Sequence, residues 1–195
     1  WAIKEVAFDH KLRLIGIEAV SYLHHLHYPP LALYIFAIPL LLSQANPLSI
    51  EIFLILINGL NVVLTFILGW NLGGNKLAFF SSIIYSCSFY VQRHDRFIWV
   101  VGPIITFCLL YFLLIKNLED SSKKKHIKTF AIGLLSGLAL SFHFQAFLFL
   151  PLTFIYFLIK KEKIANYFIF LTGYIAFLIP ILIFELRHNF YNLQG

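Results

Sequence analysis

Long apolar runs separated by short polar breaks set the plan of the chain. Residues 1 to 28 are amphipathic and rich in histidine, and "PPLALYIFAIPLLLS" (29 to 43) follows. About fifteen residues fall short of the ~20 needed to span a bilayer, so this run predicts an interfacial or re-entrant helix. Pro47 to Trp70 is long enough to cross, "NLGGNK" (71 to 76) predicts a turn, and Leu77 to Val91 a shorter span. "QRHDR" (92 to 96) reads as a polar link, Phe97 to Ile115 as another span, and "KNLEDSSKKKHIK" (116 to 128) as a lysine-rich loop.

Thr129 to Ile159 carries no Asp, Glu, Lys or Arg over 31 residues, yet lysines flank it on both sides, "KKKHIK" before and "KKEK" (160 to 163) after. If both flanks obey the positive-inside rule, the segment enters and returns as a hairpin. At 1.5 Å per residue it is ~47 Å long, less than two crossings of ~30 Å, so the hairpin is short and "SFHFQ" (141 to 145) forms a shielded tip. Asn166 to Phe184 predicts a last span, ending in "FELRHNF" (184 to 190).

Alternating these elements puts 1 to 50, 92 to 96, 142 to 145 and 185 to 195 on the outer side, and 71 to 76, 116 to 128 and 160 to 163 on the inner side. Nine of the eleven lysines then fall inside, while all four arginines and seven of the eight histidines fall outside. The positive-inside rule accounts for the lysines and not for the arginines.

Composition agrees with the pattern. Hydrophobic residues make up 60% of the 195, charged residues 12%, and the mean hydropathy is +0.83, so an ordinary soluble domain is excluded. The sequence therefore predicts an all-α, multi-pass integral membrane protein in contact with the lipid bilayer. The formal charge of +6 belongs to loop lysines and not to a nucleic-acid surface, so no nucleic-acid partner is expected. Methionine is absent and the chain opens at Trp1 without a signal peptide, which reads as an internal stretch of a longer protein. As one transmembrane domain over 1–195, it divides into an outer loop and juxtamembrane helix (1–46), the transmembrane helices (47–184) and the start of an outer loop (185–195). Cys87 and Cys108 sit in separate apolar runs as small hydrophobes.

Arginine presents a planar fork of donors suited to phosphate or carboxylate, so outer arginines at span ends suit a lipid-linked phosphate. Snorkelling to headgroups, or pairing with Asp95 and Glu185, explains them equally well on composition. His24, His25 and His27 could supply metal ligands, but adjacent histidines on a helix point about 100° apart and no HExxH or Cys partner is present, so interfacial polar residues explain at least two of them better. His143 and Gln145, at a buried tip, must find partners or line a cavity. Group transfer needs a carboxylate for the acceptor hydroxyl and cations for the leaving phosphate. The outer carboxylates are Glu5, Asp9, Glu18, Glu51, Asp95 and Glu185, and the residues alone do not rank them.

An early acid, "YPPLALYIFAIPLLLS", a Gly turn, "SFYVQRHDRFIWVVGP", "GLLSGLALSFHFQAFLFLP" and "IPILIFELRHNF", in that order, resemble the large polyprenyl-phosphate-dependent glycosyltransferases of the GT-C fold. Within these the chain is similar to the dolichyl-phosphate-mannose-protein mannosyltransferase-like proteins, relatives of the aminoarabinose transferases. The resemblance implies a GT-C-like helical bundle, about six spans plus a juxtamembrane helix here. It also implies inverting transfer of a sugar from a polyprenyl-phosphate donor to a lipid, glycan or protein acceptor, on the outer side of a prokaryotic plasma membrane. A divalent metal serves some branches of this group. The family's Asp-Glu pair in the first outer loop is matched by Lys4-Glu5, which makes Glu5 the implied catalytic carboxylate with Asp9 as a second candidate. Arg96 and Trp99 match a Ser-Arg-x-x-Trp-Asn-Pro-Asn segment whose two Asn positions are absent here. His143 and Gln145 match a His-Tyr-Gln-Ala pattern, and Arg187 and His188 the Arg-His opening a large outer loop; these are the implied substrate-binding residues. A transporter or flippase of a polyprenyl-linked or small polar substrate is the alternative, marked by midplane ionisable residues and paired broken helices.

Overall fold

The computed structural model describes residues 2–18, 26–95, 101–118 and 124–193, and among them every regular element is helical apart from one isolated bridge between Glu18 and His27. The helices are α1 (Ala2–Ala7), α2 (Leu31–Leu42), α3 (Leu48–Cys87), α4 (Phe89–Asp95), α5 (Ile104–Leu118), α6 (Lys125–Leu140), α7 (Phe149–Ile159), α8 (Ile164–Ala176) and α9 (Ile179–Arg187). A 3-10 turn, Phe144–Leu148, leads into α7.

The glycine turn expected at 71 to 76 is present inside α3. Gly73 and Gly74 leave helical geometry, and Gly74 has φ +76°, a left-handed conformation that L side chains rarely adopt. A Cβ on Gly69 would stand 2.8 Å from the Ala78 Cα, nine residues on, whereas a straight helix would separate them by ~13 Å. The two arms of α3 therefore fold back on each other.

The hairpin expected between the lysine clusters is also present. Helix α6 runs out, the chain turns at 141 to 143, and α7 returns. Lys125 at the start of α6 donates to the Glu162 carboxylate at 2.5 Å, and Asn166 donates to the same carboxylate at 2.7 Å, so the two flanks meet at one end. Helix α8 then runs parallel to α6. Cβ atoms on Gly133 and Gly137 would each fall 2.2 Å from a carbonyl oxygen of α8, those of Phe170 and Tyr174. Only glycine lets the two backbones approach this closely, the small-residue packing used where no hydrophobic effect drives helices together. Phe154 meets Phe170 edge-on at 6.0 Å and Phe157 meets Tyr167 at 5.1 Å, which sets α7 antiparallel to α8. Tyr111 of α5 stacks on Phe149 at 4.4 Å and its hydroxyl bonds the Thr153 hydroxyl at 2.8 Å, tying α5 to α7. Phe36, Phe142, Phe157 and Phe170 are fully buried where these helices meet. Outward, α3 exposes Ile55, Leu56, Val63, Phe79, Phe80 and Ile84, an apolar face that water would disfavour and hydrocarbon accepts.

Several boundaries differ from those expected. The run from Leu77 to Val91 breaks at Ser88, whose backbone is extended, and α4 carries helix through the polar link to Asp95. The next helix, α5, starts at Ile104 after a turn over 101 to 103 at Gly102-Pro103, and 97 to 100 of the expected span lie outside the described residues. The lysine-rich loop is shorter than read, since α5 continues to Leu118 and α6 begins at Lys125. Asn166 to Phe184 is not one straight span: α8 and α9 are bent by 68° at 177 to 178, and Pro180 sits in the first turn of the second piece. Among the described residues α3 is the one helix long and apolar enough to cross a membrane, or one of two if the bent α8 and α9 count as a span; α2, α5 and 144 to 159 are shorter. The expected count of about six spans is therefore not met by unbroken helices.

Candidate functional site

Opposite the lysine-bearing end, three stretches far apart in sequence converge. Residues 16 to 18 fold back on 27 and 28: the Gly16 amide donates to the Tyr28 carbonyl at 2.6 Å, and the Tyr28 amide to the Ile17 carbonyl at 3.0 Å. Tyr28 stacks on Phe144 at 4.6 Å and lies 6.2 Å from the His143 ring, which docks the first loop on the hairpin tip. The His27 amide donates to the Asn192 side-chain oxygen at 2.9 Å, and Asn192 donates its side-chain amide to Glu185 at 2.5 Å and its backbone amide at 3.2 Å. Glu185 is 8% exposed, so this buried carboxylate anchors 191 to 193 and, through Asn192, the first loop.

The only described arginine–carboxylate pair stands on the same loop. Arg13 donates a charge-assisted hydrogen bond to Glu5, and both side chains are about one-third exposed or less, 34% and 28%. That hydrogen bond, chiefly, holds the Glu5 pKa below the usual carboxylate value; partial desolvation opposes it, and the charges of Arg13 and Lys11 add to it. The Arg13 backbone is pinned in turn, its amide donating to the Tyr34 hydroxyl at 2.9 Å and its carbonyl accepting from that hydroxyl at 3.0 Å. Arg13, Tyr34 and Pro30 border a cleft of ≈ 280 Å³ whose remaining walls are apolar and include Ala176, Phe177 and Pro180 at the bend between α8 and α9. The 68° bend between α8 and α9 thus forms part of the cleft wall. Arg13 was legible only as one outer arginine among four; its pairing with Glu5 spans eight residues and has no helical periodicity to announce it.

Asp9 is exposed, 57%, with Lys11 at 4.0 Å as its nearest cation. Lys4 shares α1 with Glu5. His143 caps the 3-10 turn, its Nδ1 accepting from the Gln145 amide at 3.1 Å, which is the structural hydrogen bond weighed against a ligand role. This fixes the neutral ring with its proton on Nε2, and burial pushes the His143 pKa below the ordinary value, in agreement. The Gln145 side chain is exposed beside it. Arg187 and His188 are exposed, and His188 stacks on Phe184 at 4.1 Å with Nδ1 2.9 Å from the Phe184 carbonyl. Glu185 turns inward to Asn192, away from a pair with Arg187. Arg96 and Trp99 lie outside the described residues, as do His24 and His25. Among the described residues no three His, Cys, Asp or Glu side chains converge as a ligand set, and no step below is routed through a metal.

Helices that expose apolar faces suit a membrane-embedded protein, and at one end Arg13, paired with Glu5, borders an apolar cleft. The family comparison names the class more closely: residues 27–184 match the model of the dolichyl-phosphate-mannose-protein mannosyltransferase family, and the chain belongs to that family of GT-C-type membrane glycosyltransferases. Members are membrane-embedded and use a lipid-linked sugar donor and an acceptor. Comparison with curated proteins and with solved structures gave no match. The matched range holds His143 and Gln145 but ends short of Glu5, Asp9, Arg187 and His188, whose roles rest on their own surroundings.

Proposed function

We propose that this chain forms part of a multi-pass glycosyltransferase of a prokaryotic plasma membrane, with its loop end on the outer side and its lysine end in the cytoplasm. It moves a sugar from a polyprenyl-phosphate donor to a lipid, glycan or protein acceptor. Arg13, which borders an apolar cleft and pairs with Glu5, carries this reading, because a polyprenyl-phosphate sugar needs a cation for its phosphate beside an apolar channel for its tail.

In the step itself the acceptor hydroxyl oxygen attacks the anomeric carbon from the face opposite the phosphate. The bond from that carbon to the phosphate oxygen breaks, the configuration inverts, and polyprenyl phosphate leaves. Glu5, held ionised by Arg13, accepts a hydrogen bond from the acceptor hydroxyl and takes its proton as the hydroxyl becomes acidic in the transition state. Arg13 spreads charge toward the leaving phosphate, and Arg187 at the end of α9 and Arg96 supply further cations. Asp9 is the second carboxylate, freer than Glu5 and less oriented. Polar residues of the tip, His143 and Gln145, with Trp99 and His188, contact the sugar.

The test is reconstitution of the full-length protein in vesicles loaded with a labelled polyprenyl-phosphate sugar and a hydroxyl acceptor. Release of polyprenyl phosphate in step with acceptor glycosylation is the expected result. Intact donor crossing the bilayer without release would replace this reading by the flippase one.

A further inference from the structure

Arg13 sits on a stretch with no regular structure of its own, since residues 8 to 15 form only turns and coil. The Lys11 amide donates to the Glu5 carbonyl at 3.2 Å and the Gly16 amide to the Tyr28 carbonyl at 2.6 Å, and Arg13 lies between these two ties. Tyr34, by contrast, stands in the first turn of α2, a helix anchored by its buried face. Ala32, Leu33 and Phe36 are buried there, and Phe36 meets Phe53 of α3 at 5.9 Å and Phe142 of the hairpin tip at 6.3 Å. From this helix Tyr34 lines the apolar cleft beside Pro30 and Leu31, and its hydroxyl reaches the loop. That hydroxyl accepts from the Arg13 amide and donates to the Arg13 carbonyl, bracketing the backbone of a residue 21 positions away. Its single proton is committed to the carbonyl, so it has none to give a ligand.

We propose that Tyr34 is a positioning residue of the donor site, holding the Arg13 main chain where its guanidinium meets the donor phosphate; this rests on the reading of Arg13 as the phosphate cation. A guanidinium binds phosphate through a planar fork, so direction matters as well as charge. On an untethered loop that direction is spread over many backbone states, and ordering them at each binding event weakens affinity. Tyr34 orders the backbone beforehand, from a helix and not from a loop, which is the more exact support. The pair with Glu5 orients the side chain and engages one terminal nitrogen. A guanidinium carries five N–H donors, so others remain for phosphate oxygens. Because the tie is a hydroxyl on an aromatic ring, Tyr34→Phe deletes it and leaves the cleft wall in place.

Equilibrium binding of polyprenyl phosphate, and separately of the matching uncharged polyprenol, to the detergent-purified full-length protein tests the proposal. The proteins compared are the parent, Tyr34→Phe, Arg13→Ala and the double variant. Tyr34→Phe should weaken polyprenyl phosphate by about fivefold, within the net worth of a hydrogen bond, and Arg13→Ala by about tenfold or more, as for one to a charged group. The double variant should bind no more weakly than Arg13→Ala, because Tyr34 acts through Arg13. Polyprenol should bind all four alike, which also shows the cleft intact. Parental phosphate binding by Tyr34→Phe, beside a weakened Arg13→Ala, would overturn the proposal and leave the donor reading standing. An equal fall for polyprenol would overturn it by making Tyr34 a wall residue only, and a further loss in the double variant by making it a ligand contact. No effect of Arg13→Ala would overturn the donor reading of Arg13 and the proposal with it.

Discussion

Adding one methyl group at Gly137 is the sharpest test of the helix packing beneath the site. A Cβ there would stand 2.2 Å from the Tyr174 carbonyl oxygen, a backbone atom that no rotamer change can move aside. Helices α6 and α8 must separate by roughly 1 Å, an overpacking error that costs about 1–3 kcal/mol. For a chain of this size each kcal/mol lowers the melting temperature by about 2–4 °C, so Gly137→Ala should melt about 2–12 °C below the parent. Gly59 is the internal control. It also lies inside a helix, but nothing stands within 4 Å of its would-be Cβ, so Gly59→Ala loses no contact and gains about 1 kcal/mol of helix propensity. Differential scanning fluorimetry of the detergent-purified full-length protein reads both. Gly137→Ala melting with the parent, or Gly59→Ala falling as far as Gly137→Ala, would refute the close parallel packing of α6 on α8.

His143→Ala should remove the cap on the 3-10 turn at a cost of about 1 kcal/mol, and His143→Asn should restore most of it, read as melting temperature. Because burial depresses the His143 pKa, the cap is fully present above the ordinary histidine value of about 6.5 and is lost as pH falls from there through the folded pKa. Hydrogen exchange at 141 to 148 should therefore quicken on mild acidification and stay flat above neutrality. Glu5 runs in the same sense at lower pH: its pKa is held below 4.5, so the Arg13 pair is intact above that value and is lost as pH falls through the folded pKa. Exchange of residues 2 to 18 should rise only in that acid range. Glu185→Ala leaves the Asn192 donors without their acceptor, costing about 1–3 kcal/mol, and should raise exchange at His27 and 191 to 193 together. A change confined to 191 to 193 would break the link from Glu185 to the first loop.

Hydropathy placed the helices well where the chain itself supplies the stop. The Gly73-Gly74 turn and the doubled lysine flanks of the α6–α7 hairpin were both legible, because a φ of +76° needs glycine and a charge run cannot stay in hydrocarbon. The breaks at Ser88 and at 177 to 178 were not. Serine tolerates helix and turn alike, and Pro180 fits either a kink inside one span or the first turn of a new helix after a sharp bend. Gly133 and Gly137 stand four apart in plain view, yet their partner carbonyls lie on α8, beyond any local pattern. The carboxylates at the loop end could be enumerated from sequence, but ranking them needed the fold: Glu185 is buried on Asn192, Asp9 is open to solvent, and Glu5 is gripped by Arg13. His143 and Gln145 were placed at the hairpin tip from the run length alone, and the tip is where they stand.

The central claim is that the Glu5 carboxylate works on an acceptor hydroxyl at the mouth of the Arg13 cleft. Its most direct measurement is single-turnover transfer from a polyprenyl-phosphate sugar by the full-length protein, comparing the parent with Glu5→Gln at saturating donor. The expected rate is lower by about 10²–10⁴-fold, the usual worth of a general base, with donor binding and melting temperature little changed. Transfer by Glu5→Gln at the parent's rate would contradict it.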